Sequence, residues 1–262
     1  MRRVVVFILL LSTILAGCAG KEAVRRAVRE NPEIVMDVLR EHRLELLQIM
    51  QEAVTDKEAM ARRQQWLLEL AEPFKPVIEG DRPIRGSVIA PVTVVEYSDF
   101  FCPYCDRGSR TLHELQELHP EVIKVVFKHF PLHEGSQLLA GLFEGVALQN
   151  EDAAWEFKRR VFAARATIQE EGPSGPTLRD ILEDLGVDIK QAYVAARSAS
   201  VQERIAADVQ EARTFGFRGT PTYLIGGVAI RGAAPLQEFE EVLDLVLKDR
   251  DGAATCIECG SE

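Results

Sequence analysis

The pattern of apolar and polar positions changes character several times along the chain. Residues 4–15 form an unbroken apolar run behind Arg2 and Arg3. That run is the length of a signal-peptide core and falls short of the roughly 20 residues a membrane-spanning helix needs. From Lys21 to about Glu72 the pattern is helical, with no glycine and with Pro32 near its start. Asn31-Pro32-Glu33 reads as a helix start: a capping side chain, a proline in the first turn, an acid against the dipole. Val35, Leu39, His42, Leu46, Ile49 and Ala53 then follow at spacings of 4, 3, 4, 3 and 4, a heptad-like seam. Two readings of this arm stand side by side: an amphipathic helix packed on its own domain, or an oligomerising element through residues 31–60. A segment with proline and glycine, residues 73–90, reads as a linker.

Beyond it the period shortens. Val92 to Tyr97 is a β-rich run leading directly into Ser98-Asp99-Phe100-Phe101-Cys102-Pro103-Tyr104-Cys105, and a helix-compatible stretch continues to about Leu118. Val122 to Phe130 predicts the next strand. Helical pattern fills about 135–215, broken by Gly172-Pro173-Ser174-Gly175-Pro176 and by Gly186. Thr222 to Ile225 and Val228 to Ile230 predict a hairpin across Gly226-Gly227, and a last amphipathic helix spans Leu236 to Lys248. The expected order is strand, helix, strand, helical insert, hairpin, helix. The organisation this predicts is a leader over 1–17, an arm over 18–72, the linker over 73–90, an α/β domain over 91–250, and a flexible tail over 251–262.

Composition narrows the classes of function. Of 262 residues, 47% are apolar and 27% charged, which excludes wholesale disorder and a multi-span membrane protein. Asp and Glu outnumber Lys and Arg by 41 to 31, and no basic block offsets the net charge of -10, so nucleic acid is not an expected partner. Phosphate-loop, zinc-protease, serine-hydrolase and dinucleotide motifs are all missing from the sequence, so no nucleotide or flavin is implied.

The five cysteines carry the candidate chemistry: Cys18 alone, and the pairs Cys102/Cys105 and Cys256/Cys259, each C-x-x-C. A four-cysteine zinc site would want its second pair roughly 15–20 residues after the first, and here it lies about 150 residues away. Context favours redox. Cys102 falls where a strand ends and a helix begins, and Pro103 suits the first helical turn. Free N–H groups and the dipole there favour a Cys102 thiolate, with Cys105 one turn deeper. Cys102 is therefore the expected attacking sulfur and Cys105 the resolving one. No metal site is expected among the histidines at 42, 113, 119, 129 and 133, which lack ligand spacing.

Leu15-Ala16-Gly17-Cys18 resembles the lipobox of bacterial lipoproteins, in which the cysteine is acylated and becomes the mature N-terminus. The resemblance implies lipidation at Cys18, a mature chain with a net charge of -12, and an extracytoplasmic, membrane-anchored location where disulfides persist. Ala19 is compatible with sorting to an outer membrane.

Glu96 to Cys105, the later Phe130-Pro131-Leu132, and Gly219-Thr220-Pro221-Thr222 resemble the DsbA family of thiol–disulfide oxidoreductases. The likeness extends from about Pro91 to Leu247, and the arm is similar to the N-terminal segments of ScsC-like and Com1-like members. It implies a thioredoxin fold with an inserted helical domain, preceded here by a helical arm. It implies that Pro221 is the cis-proline beside the active-site disulfide, that Thr220 pairs with an extended client, and that Pro103 and Tyr104 border the client site. Glu96 takes the place of the buried acid beneath the second cysteine, where desolvation raises a carboxyl's pKa and lets it relay a proton to Cys105. Lys128 is a candidate partner for Glu96, and Asp99 a candidate turn cap. The redox cofactor is the Cys102–Cys105 disulfide itself, and the implied partners are exported cysteine-containing proteins and a membrane redox protein.

Two departures leave the direction of electron flow open. The dipeptide is Pro-Tyr, not the Pro-His of the family's strongest oxidants, which removes a charge near the thiolate. Thr before the proline is closer to isomerase-like members. For Cys256 and Cys259 an inert disulfide, a soft-metal ligand pair and a relay to Cys102 all remain open. Two rival functions have no need of the strand-to-helix placement: a lipoprotein that captures Cu(I) without redox turnover, and a purely structural surface lipoprotein.

Overall fold

The computed structural model describes residues 20–172 and 175–258, the side chains of 251–258 excepted. The chain divides into two compact units, Met1–Arg63 and Gln64–Glu262. In the first lie α1 (Lys21–Glu30), α2 (Pro32–Glu41) and the greater part of α3 (Arg43–Ala71). Pro32 takes the first-turn position expected of it, but Asn31 does not cap α2 through its side chain. Its amide donates back to the Ala27 carbonyl at 2.9 Å. A preceding helix with orphan carbonyls at its end offers that acceptor, and the local hydrogen bond wins. A second break falls at His42, so the heptad-like seam is carried by two helices in succession.

In the second unit five strands form one sheet in the order β1-β3-β2-β4-β5: β1 (Ile84–Arg85), β2 (Val92–Ser98), β3 (Ile123–His129), β4 (Thr222–Ile225) and β5 (Val228–Arg231). β2 and β3 are parallel, and α4 (Pro103–Leu118) makes the crossover that a parallel pair requires. The other pairings are antiparallel. Between β3 and β4 the described residues build six helices: α5 (Ser136–Ala147), α6 (Glu151–Ala163), α7 (Arg165–Glu171), α8 (Pro176–Asp184), α9 (Ile189–Ala196) and α10 (Ala199–Thr214). α11 (Leu236–Glu258) closes the order.

β2 and β3 read as continuous apolar runs because both faces of the sheet are covered. Val92 and Val94 of β2, with Ile123, Val125 and Phe127 of β3, point into a core shared with α4, α11 and the insert. Val95, Tyr97 and Val126 point the other way, onto Ala212, Phe217 and Phe74. Glu96 therefore shares the first face with Val94, and Lys128 shares the second with Tyr97.

Segment 73–90 is not a free linker. Phe74 stacks on Phe215 and Phe217 with centroids 5.1 and 5.5 Å away, and its N–H donates to the Gly227 carbonyl. Arg82, 3% exposed, forms a bidentate pair with Asp208 at 2.7 and 2.9 Å. β1 then adds an edge strand to β3, with Ile84 opposite Val126. The proline-rich composition read as a linker because a two-residue strand carries no detectable period. The last turns of α3 also belong to the domain, since Trp66 enters the core and Glu69 accepts from Ala229 N–H at 2.8 Å and Arg231 at 2.7 Å. At the other end α11 runs on past Lys248 to Glu258. Gly252 alone costs a helix only about 1 kcal/mol, and Ala253 and Ala254 favour continuing it.

Candidate active site

Cys102 occupies the N-cap of α4 in an extended conformation, and Pro103 takes the first helical position. Asp99 sets the approach: its Oδ1 accepts from Phe101 N–H at 2.8 Å, and its backbone carbonyl accepts from Cys102 N–H at 3.1 Å. The expected cap is thus present, and the same carboxylate does more. It also accepts from Leu132 N–H (2.5 Å), from His133 N–H (2.9 Å) and from the Ser136 hydroxyl, and it pairs with His133 Nδ1 at 2.9 Å. Asp99 thereby ties the turn before Cys102 to the first turn of the insert. Burial opposes its charge, but Ser136, His133 and the Leu132 N–H together hold its pKa below the ordinary value.

Both active-site cysteines are free thiols, Cys102 4% exposed and Cys105 fully buried. Cys102 Sγ lies 3.4 Å from the Thr220 carbonyl, and the Thr220–Pro221 peptide is cis. The Cys105 thiol donates to the Cys102 sulfur, which, against the opposing effect of burial, pulls the Cys102 pKa down to about 5. The contact with Thr220 and hydrogen bonds from the N–H groups of Cys105 and Tyr104 add to this. Burial, and the same hydrogen bond seen from its donor, push the Cys105 thiol well above the ordinary range. The two sulfurs are thus differentiated as an attacking and a resolving pair must be. Tyr104 is exposed, with Arg107 5.1 Å above its ring.

Glu96 is buried on β2, opposite Phe127 of β3 and Tyr223 of β4. Its partner is not Lys128. One residue of parity places Lys128 on the far face, where it pairs with Glu211 at 2.6 Å and Asp208 at 3.3 Å. Lys158, from α6 of the insert, reaches Glu96 Oε2 at 2.5 Å instead. Its ammonium lies 4.6 Å from the Phe127 ring and 5.3 Å from the Trp155 ring. Burial lowers the Lys158 pKa, against the pull of Glu96. Among the described residues Glu96 Oε1 has no hydrogen-bond partner, and neither does the buried Tyr223 hydroxyl. Lys158 carried no sequence signal, since it lies 62 positions from Glu96 in a helix of the insert.

The histidines scatter. His129 is a core residue bonded to Glu144 at 2.8 Å, His133 joins Asp99, His119 caps α4 at its C-terminal end, and His113 and His42 lie on helices or their breaks. Among the described residues no three His, Cys, Asp or Glu side chains gather as metal ligands would. Cys18 and Cys259 lie outside the described residues, as does the side chain of Cys256.

Two adjacent thiols at one helix N-terminus, Cys105 fully buried and Cys102 with only slight exposure, under a cis-proline loop, place the protein in the thioredoxin-fold class. Residues 79–245 match the family model described as Thioredoxin, and the chain belongs to that family. Its structure is similar to a thioredoxin-like oxidoreductase of Silicibacter pomeroyi (25% identity, TM-score 0.56, covering 65% of this chain and 94% of that one). It is also similar to BdbD of Bacillus subtilis (24%, TM-score 0.60, 67% and 97%) and to ScsC of Proteus mirabilis (20%, TM-score 0.56, 87% and 99%). Among curated sequences it is 28% identical over 175 residues to a protein of Herminiimonas arsenicoxydans named Na(+)/H(+) antiporter NhaA, covering 67% of this chain and 27% of that one. It is 35% identical over 177 residues to a Salinispora tropica protein of similar name, covering 64% of this chain. The chain spans about a quarter of the length of these relatives. Among the described residues no helix is long and apolar enough to cross a membrane.

Proposed function

We propose that this protein is an extracytoplasmic protein thiol–disulfide oxidoreductase acting through the C-P-Y-C pair Cys102 and Cys105. The observation that carries the reading is the placement of two adjacent thiols beneath the cis Thr220–Pro221 loop: Cys102 at the N-cap of α4, 3.4 Å from the Thr220 carbonyl, and Cys105 fully buried one turn behind it. In the oxidising direction a client thiolate attacks Cys102 of the disulfide and Cys105 leaves as a thiolate that takes up a proton. A second client thiolate then attacks the client sulfur of the mixed disulfide. The client disulfide forms and Cys102 departs as a thiolate, so two electrons pass to the enzyme and no further cofactor is needed. The isomerising and reducing directions use the same steps in other orders. Glu96 exchanges the proton with Cys105, Thr220 pairs with the extended client, and Pro103 and Tyr104 border it.

Exported cysteine-containing proteins are the clients in this reading, and a membrane redox protein restores the pair. Cys18 anchors the chain by lipid to a bacterial membrane, with Ala19 compatible with the outer one. The seam over residues 31–60, whose apolar members are exposed, supports association of copies. Cys256 and Cys259 form a second redox pair or a local disulfide. Trapping tests the reading. Cys105→Ser should accumulate mixed disulfides between Cys102 and exported proteins, and Cys102→Ser should accumulate none. Equal yields from both variants, or none from either, would remove the enzymatic reading.

A further inference from the structure

Arg85 stands on the edge strand β1, and among the described residues no carboxylate or carbonyl accepts a hydrogen bond from its guanidinium. It lines a cavity of about 280 Å³ between α4 and α6. α6 supplies Trp155, Lys158 and Phe162, at positions i, i+3 and i+7 of one helical face, and α4 supplies Arg110 and His113. The acid in the lining, Asp106, is committed to Arg110, 2.7 Å from each of its oxygens. Arg159, also in the wall, is held bidentately by Glu156, and Lys158 by Glu96. Arg85 is the cation left over.

Electrostatics and hydrogen bonding agree on what is missing. The His113 pKa is pushed down first by burial and next by Arg85, with Lys158 and Arg159 adding and Glu117 opposing. Lys158 likewise feels burial first and a repulsion from Arg85. Cations thus crowd this wall, whose one acid is committed, while Asp152 and Glu156 stand with Arg85 in the adjoining cavity and Glu117 beside His113. Two ring nitrogens of lining residues, Trp155 Nε1 and His113 Nδ1, are buried with no hydrogen-bond partner among the described residues. Groups of this kind in native interiors call for a specific explanation. Trp155 and Phe162 make much of the wall aromatic, so an inorganic phosphate or sulfate would leave several oxygens against apolar surface, at a cost.

We propose that the α4–α6 cavity binds a small organic carboxylate with an aromatic or aliphatic body, its carboxylate on Arg85 and its body between Trp155 and Phe162. The cavity meets the proposed thiol site at Lys158, which holds Glu96, while Arg85, Trp155 and Phe162 take no part in the thiol chemistry proposed above. A guanidinium with its donors free is the side chain best suited to take a carboxylate bidentately.

The test uses the full chain in its reduced form with 3-phenylpropionate as probe and 3-phenylpropan-1-ol as the uncharged control. Binding is measured by calorimetry, and the two tryptophan indole N–H signals are followed by NMR, that of Trp155 assigned through Trp155→Phe. The acid should bind with a Kd of roughly 1 mM or tighter, the range open to a ligand of its size. The Trp155 signal should move and that of Trp66 should stay. The alcohol and the Arg85→Gln variant should each bind roughly tenfold more weakly, the worth of one charge-assisted hydrogen bond, and Arg85→Lys should recover part of the loss. Disulfide exchange by Arg85→Gln without probe should match the parent, showing that the variant is folded. Equal binding of acid and alcohol, unchanged affinity in Arg85→Gln, a shift at Trp66 instead of Trp155, or absence of saturable binding would each overturn the proposal.

Discussion

Cys102 and Cys105 are the same residue type three positions apart, and their environments make them chemically unlike. The Cys105 thiol donates to Cys102, so the Cys102 pKa falls to about 5 while burial and that donation raise Cys105. Alkylation of the reduced protein at Cys102 should therefore show a midpoint near pH 5. In Cys105→Ala that midpoint should move up towards the ordinary thiol value, because the largest favourable contribution is removed. A depressed folded pKa stabilises the folded state in full above the unfolded thiol's pKa, and the gain is lost as pH falls through about 5. Chemical denaturation from pH 5 to 8 should accordingly show the reduced form gaining on the oxidised one as pH rises. The placement of Cys102 at a helix N-terminus, with Cys105 buried one turn deeper, was legible because strand end, cysteine and proline stand in sequence. The Glu96 partner was not, since only the β2–β3 register decides that Lys128 faces away from it. Lys158→Met leaves Glu96 buried without its cation and should cost about 3–5 kcal/mol in urea unfolding. Replacing both, Glu96→Leu with Lys158→Met, should restore most of it. A single variant with parent stability would show that the pair does not hold as described.

At the scale of elements, α4 and the cis-proline loop are packed too closely for any side chain at Gly108. A Cβ there would overlap the Tyr223 hydroxyl and come within 3.2 Å of Pro221 Cγ. Gly→Ala in a helix interior ordinarily gains close to 1 kcal/mol. Gly108→Ala should instead lower Tm, by about 2–4 °C for each kcal/mol of overpacking, and slow exchange at Cys102 by displacing the loop. A raised Tm with unchanged exchange would contradict the packing. The insert uses the same device: a Cβ on Gly145 of α5 would stand 2.5 Å from the Ala192 carbonyl of α9. The long elements were readable from hydrophobic period, from β2 at Val92 through α11. β1 was not, because two residues make no period and its pairing partner β3 lies about 40 positions on. What binds segment 73–90 to the sheet is a set of distant contacts, Arg82 with Asp208 and Phe74 with Phe217, and composition holds no trace of them.

For the whole molecule, the domain from Gln64 onward holds its own two-sided core, including Trp66 and Glu69 from the end of α3. Deleting residues 20–60 should leave its Tm and its disulfide exchange unchanged. Sedimentation should show association in the longer chain alone, and a monomer with or without residues 20–60 would remove the oligomerising role of the seam. The central claim, that Cys102 and Cys105 form a redox pair with a stabilised attacking thiolate, is tested most directly by its reduction potential. The measurement is equilibration with glutathione, using protein in which Cys256 and Cys259 are replaced by Ala. A depressed Cys102 pKa stabilises the reduced form, so the expected potential lies above the roughly -270 mV of thioredoxin, towards the oxidising or reshuffling end. A value near -270 mV would contradict the thiolate stabilisation described here, and no reversible exchange at all would contradict the redox pair itself.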